Sequence, residues 1–114
     1  MTLDDYQRDA MRTAGAALRA EDGLVLSALG LNGEAGEYSE LVKKNVYHGH
    51  PLDIDKAAKE LGDVLWYIAR AAEAIGVPLS EIAARNIEKL RARYPDGFSS
   101  EQSIHRAAEG AMNG

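Results

Sequence analysis

Apolar residues recur every three to four positions along the segments between the few glycines and prolines, and β-branched or aromatic clusters are scarce. That period belongs to amphipathic helices packed on one face. A first helix is expected from Leu3 to Leu18, with Thr2 as its N-cap, Asp4 and Asp5 at its positive end, and Gly15 as the point where it weakens or stops. A second is expected from Leu24 to Val46. It contains Gly30, Gly33 and Gly36, each costing up to about 1 kcal/mol relative to alanine, so their presence argues for close packing or close backbone approach. The connection Tyr47-His-Gly-His-Pro-Leu-Asp53 leads to a third helix, capped by Asp53 or Asp55 and ending at Ile75-Gly76. Pro78 suits the first turn of a fourth helix, which Tyr94-Pro95-Asp96-Gly97 stops after Arg93. A weak helix over 102–108 and a frayed tail from 109 complete the chain. Short connections make neighbouring helices antiparallel, so the expected fold is all-α, an antiparallel bundle of about four main helices in one domain spanning 1–114.

At about 100° per residue, Leu24, Ala28, Leu31, Ala35, Tyr38 and Val42 form the apolar arc of the second helix, with Glu34 and Glu37 on its flank. The third helix repeats this. Its arc is Leu61, Val64, Leu65, Ile68, Ala72 and Ile75, and Glu60 and Asp63 lie on the flank beside Tyr67. Each acidic pair is spaced i, i+3 and shares one face. With a rise of about 1.5 Å per residue, Glu37 lies about 15 Å before the connection and Asp63 about 13 Å after it, so four carboxylates can meet across one groove. A single acidic pair is an ordinary solvated face. Two matched pairs bordering facing apolar arcs are unfavourable without a cation, because like charges repel and desolvation adds to the cost. A hard divalent ion, Mg2+ with Mn2+ as a substitute, removes the conflict. Di-iron carboxylate sites use Glu-x-x-His, which neither pair offers.

Composition narrows the function classes. The 114 residues carry 13 Lys+Arg and 18 Asp+Glu, a net charge of −5, which argues against a nucleic-acid partner. No cysteine is present, which excludes thiolate chemistry and Cys-based metal sites. Hydrophobic residues are 46% of the chain, but many are alanine and aromatics are only 6%, so the core is thin and a homo-oligomer is expected. No apolar run approaches the roughly 20 residues that span a bilayer, and the start lacks signal-peptide features, so no membrane partner and a cytoplasmic location are expected. No phosphate-binding glycine loop occurs, and His48, His50 and His105 suggest no metal site of their own.

Leu29-Gly-Leu-Asn-Gly-Glu-Ala-Gly-Glu37, Glu60-Leu-Gly-Asp-Val-Leu-Trp-Tyr67 and Asn86-Ile-Glu-Lys-Leu-Arg-Ala-Arg-Tyr-Pro95 together resemble the MazG-like, all-α nucleoside triphosphate pyrophosphohydrolases. That family's Glu-x-x-Glu pair is followed, after a variable gap, by Glu-x-x-Asp; here residues 38–59 form the gap. The resemblance implies magnesium-dependent hydrolysis of an NTP or dNTP between the α and β phosphates, with Glu34, Glu37, Glu60 and Asp63 at the metal-ligand positions. Some members carry a further Glu where this chain has Gly33, which leaves two sources for activating the water, a remaining carboxylate such as Glu37 or the metal alone. Asn86, Lys89 and Arg93 form an i, i+3, i+7 stripe on the fourth helix and are the expected phosphate or sugar contacts. Lys43 and Lys44 read as cations complementing a helix C-terminus. Gln7 resembles a base-reading position, and Trp66 and Tyr67 are candidates either for base contact or for core. A homodimer or homotetramer is expected to close the nucleotide pocket. Phosphoribosyl-ATP pyrophosphohydrolysis and a non-catalytic helical module are the competing readings.

Overall fold

The computed structural model describes residues 1–15, 20–98, 100, 101 and 103–105. Its named elements are helices α1 (Leu3–Met11), α2 (Ala20–His48), α3 (Ile54–Ile75) and α4 (Leu79–Arg93), and among the described residues there is no strand. None of the helices is long and apolar enough to cross a membrane. The described chain falls into two compact units, Met1–Leu79 and Ser80–Gly114.

In the first unit α1 opens on a reciprocal cap. The Thr2 hydroxyl accepts from the Asp5 N–H and the Asp5 carboxylate accepts from the Thr2 N–H, both at 3.0 Å. The Thr2 N–H and then the Arg8 guanidinium hold the Asp5 carboxyl below its usual value. The helix is shorter than its pattern predicted, ending at Met11. The Arg12, Thr13 and Ala14 N–H groups donate to the carbonyls three residues back, of Asp9, Ala10 and Met11, the Thr13 hydroxyl donates to the Ala10 carbonyl at 2.7 Å, and Gly15 turns left-handed at φ +72°. These local bonds replace the α-helical ladder. The expected continuation over 16–18 lies outside the described residues.

The second helix runs past its expected ends, starting at Ala20 and stopping at His48. Its glycines do not break it. Gly33 and Gly36 have nothing within 4 Å of where a Cβ would be, whereas Gly23 and Gly30 admit side chains of α3. A Cβ on Gly23 would lie 2.6 Å from the Arg70 guanidinium, and one on Gly30 would overlap the Tyr67 ring. With Gly23 opposite Arg70 and Gly30 opposite Tyr67, α2 and α3 run antiparallel, and α3 also packs on α1.

This packing selects a different face of α2 from the one predicted. Gly23, Ser27, Gly30, Leu31, Glu34, Tyr38 and Leu41 turn inward, while Leu24, Ala28, Ala35 and Val42 of the expected arc are exposed. On α3, Val64, Leu65 and Ile68 of the expected arc are half-buried and Ala72 is buried, but Leu61 and Ile75 at its ends are exposed. Besides Leu79 at the end and Arg70 in the Gly23 notch, the buried side chains among the described residues are small: Ala57, Ala69, Ala72 and Ser27. Small residues let helix axes approach, and the glycine notches supply the same proximity on the facing helix.

Of the two candidate caps it is Asp53 that caps α3, through the Lys56 N–H at 3.1 Å, with Asp55 in the first turn, and Gly76 ends the helix as predicted at φ +72° with its N–H on Ala72 and Glu73. Gln7 ties this corner to α1. Its amide nitrogen donates to Glu73 at 3.0 Å and its amide oxygen accepts the Leu79 N–H at 2.7 Å.

In the second unit, α4 ends as predicted at Arg93, followed by a turn in which Gly97 donates to the Tyr94 carbonyl at 3.1 Å and the Tyr94 and Phe98 rings meet at 5.3 Å. Residues 103–105 are helical. Positions 102 and 106–108 of the weak helix expected there, and the tail from 109, lie outside the described residues.

Candidate metal centre

The antiparallel register brings Glu34 and Glu37 of α2 together with Glu60 of α3. Glu34, Glu37 and Glu60 each offer one carboxylate oxygen, and the three oxygens lie within 4.8 Å of one another. Glu34 and Glu60 are half-buried and Glu37 is exposed at the rim. The Oε2 atoms of both Glu34 and Glu60 are buried without a hydrogen-bond partner. Asp63, the fourth expected acid, lies outside this cluster. It is exposed and opens on a cleft of about 340 Å³ that it lines with Glu34, Trp66 and Tyr67.

The electrostatics follow from that arrangement. Desolvation first, then the Glu37 carboxyl, then the charge of Asp63 and the contact with Glu60 push Glu34 up from 4.5 to about 7. Desolvation likewise leads in raising Glu60, followed by Glu37 and Asp63, with only the Glu34 contact opposing. Among the described residues, no lysine or arginine enters either shift. Two buried oxygens without donors, in a cluster made only of carboxylates, fit a hard divalent cation, which takes oxygen ligands and cancels the repulsion. The residues able to hold one are Glu34, Glu37 and Glu60.

The aromatic residues beside the acids are committed to packing. The Trp66 indole N–H donates to the Thr13 hydroxyl at 2.9 Å and to the Ala10 carbonyl at 3.2 Å, which pins the ring to the end of α1. Trp66 and Tyr67 meet edge to face, centroids 4.9 Å apart at 84°. Gln7, which resembled a base-reading position, has both ends of its amide engaged in the α1 clasp. Burial and then the charge of Asp63 raise the Tyr6 hydroxyl above its usual value, so α1 also reaches the acidic region. Sequence reasoning missed the seating of Tyr67 and Arg70. Its available signal was the seven-residue interval between Gly23 and Gly30, matched by a large side chain at each notch.

Asn86, Lys89 and Arg93 are exposed on α4, within the second unit. Lys43 pairs with Glu40 at 3.5 Å and Lys44 is exposed. His48 and His50 are exposed in and after the last turn of α2.

The facing turns of a helical hairpin thus bring three carboxylates together, a donor set able to hold a divalent cation. Residues 26–98 match the MazG nucleotide pyrophosphohydrolase domain, and the chain belongs to that family. The gene 37 protein of Mycobacterium phage L5 is similar to it, 38% identical over 105 residues that cover 85% of this chain and 92% of that protein. No solved structure matches.

Proposed function

We propose that the protein hydrolyses a nucleoside or deoxynucleoside triphosphate between the α and β phosphates, releasing the monophosphate and pyrophosphate, with Mg2+ as cofactor and Mn2+ as a substitute. The observation that carries this reading is the convergence of Glu34, Glu37 and Glu60 with two buried oxygens left without donors. Bound there, the cation would supply charge neutralisation for the carboxylates and for a polyphosphate. Glu34, Glu37 and Glu60 would hold it, and Asp63, beside Glu34 in the same cleft, completes the acidic set.

Glu37 has the exposure that the remaining role requires. Its carboxylate orients a water in line with the scissile bond and accepts its proton as the water oxygen bonds to the α phosphorus. The bond from that phosphorus to the bridging oxygen breaks, and pyrophosphate leaves with the electron pair. Gly33 offers no carboxylate of its own, and the task is assigned here to Glu37, with activation of the water by the cation alone as the other source. Trp66 and Tyr67 form the aromatic wall of the cleft beside Glu34 and Asp63. Asn86, Lys89 and Arg93 are assigned to substrate binding on donor chemistry, because an amide and two cations on one exposed helix face suit phosphate and sugar oxygens.

A homodimer or homotetramer belongs to the same proposal. Leu26, Leu29 and Val46 on α2 are 60%, 69% and 60% exposed, more apolar surface than a helix in water leaves uncovered, and a second copy supplies the cover.

The test is a panel of NTPs and dNTPs with Mg2+, resolving monophosphate plus pyrophosphate from diphosphate plus orthophosphate. Glu37→Gln and Asp63→Asn run beside the parent chain. Monophosphate and pyrophosphate are expected, with losses of about 10²-fold or more in both variants. Full turnover by Asp63→Asn would remove it from the site, and no turnover of any nucleotide would leave a binding module in place of an enzyme.

A further inference from the structure

Arg70 is a charged side chain buried on α3, only 9% exposed. Its guanidinium lies against the backbone of α2 at Gly23, where an added Cβ would meet Nη2 at 2.6 Å and Nη1 at 2.9 Å. Among the described residues it has no hydrogen bond and no ion pair, and Glu21 and Asp22 of the neighbouring turn have interactions of their own. Taking a guanidinium out of water is costly unless an anion and hydrogen-bond acceptors compensate. What the side chain lacks is an anion.

Its surroundings suit one. Gly23 belongs to the first turn of α2, which opens at Ala20 and carries the positive dipole end of a 29-residue helix. N–H groups of a first turn have no carbonyl within their own helix, so they point at whatever lies beyond it. A helix amino end and a guanidinium at one place are two components of a phosphate site. The bare Cα of Gly23 is what lets the guanidinium reach this turn. The place is separate from the carboxylates. Arg70 follows Asp63 by seven residues, about 10 Å along α3, and the contact of Tyr67 with Gly30 lies between them.

We propose that Arg70 and the first turn of α2 form a second site, which binds a phosphate oxyanion. The guanidinium supplies charge-assisted hydrogen bonds to the oxyanion and the helix end adds its dipole. The oxyanion is either free phosphate or a phosphate group of a nucleotide, and the two sources are separable.

Thermal unfolding of the full chain in metal-free buffer tests this, with sodium phosphate compared against NaCl at matched ionic strength. Phosphate at a few times its Kd is expected to raise the parent Tm by about 4 °C and to leave Arg70→Met unmoved. In NaCl alone Arg70→Met is expected to melt no lower than the parent, because it removes a buried charge that has no partner. Gly23→Ala keeps the charge but its methyl group displaces the guanidinium, and it is expected to lose the phosphate shift as well. A shift seen only with a nucleoside triphosphate bridged by methylene between the α and β phosphates, given with Mg2+, and absent from Arg70→Met, would keep the site and place its oxyanion on the nucleotide. Equal shifts in parent and Arg70→Met, or no shift with any of these anions, would overturn the site. So would a lower Tm for Arg70→Met in NaCl, since the guanidinium would then be satisfied within the chain. Because the phosphate arm needs neither cation nor turnover, its failure leaves the hydrolysis proposed above untouched.

Discussion

With its carboxyl half-buried beside Glu37, Glu34 keeps a proton at a pH where an ordinary glutamate has lost it, its value raised from 4.5 to about 7 chiefly by desolvation. Between those two values the folded chain binds more protons than the unfolded one, so raising the pH through that window destabilises the metal-free protein. Glu60 is shifted in the same direction and adds to the slope. Thermal unfolding in EDTA is therefore expected to give a lower Tm at about pH 8 than at about pH 5 from these groups, and Glu34→Gln to flatten the difference. Mg2+ competes with protons for the same oxygens, so its stabilising effect is expected to be larger at the higher pH. A Tm in EDTA that is the same in parent and Glu34→Gln across the range would show that the carboxyl titrates normally.

Helix ends were legible from the sequence wherever one local group decides them. Thr2, Asp53, Gly76 and the Tyr94–Gly97 turn each act within a few residues of themselves, and the structure uses each as its chemistry predicts. The inward face of α2 was not legible, because Leu24, Leu31, Val42 and Val46 share one stripe by spacing and yet Leu24, Val42 and Val46 are left exposed. What chooses the face is the pair of notches at Gly23 and Gly30, whose partners Arg70 and Tyr67 are distant in sequence. The i, i+3 acids could be read from spacing alone. The separation of Asp63 from the other three depends on the helix spacing and could not. Docking of α1 is equally non-local, and it can be tested at Gln7. Gln7→Met keeps the volume but leaves the Leu79 N–H without its acceptor, an expected loss of about 1–3 kcal/mol in urea unfolding. An unchanged midpoint would mean that the clasp adds nothing to docking.

For the molecule as a whole, the proposed association would fall to the exposed apolar positions of α2. Leu29, 69% exposed in one chain, is the position where a charge would oppose a second copy while touching no group of the acidic cluster. Leu29→Glu is expected to reduce the mass by light scattering to that of one 12.3 kDa chain, whereas the parent is expected at a multiple of it. A parent chain already of single mass would remove the oligomer from the proposal. If the single-chain variant also loses turnover, the pocket requires its neighbour.

The clasp between α1 and α3 bears on where this domain begins. The span shared with the family opens at residue 26, inside α2 and beyond the whole of α1. A chain cut there would be faithful to the family and unfaithful to the physics. It would strip the Trp66 indole and the Leu79 amide of their acceptors and remove the Gly23 notch that houses Arg70. Folding therefore draws on residues ahead of the family match, and the similarity to the phage protein, which covers 85% of this chain, reaches ahead of it as well.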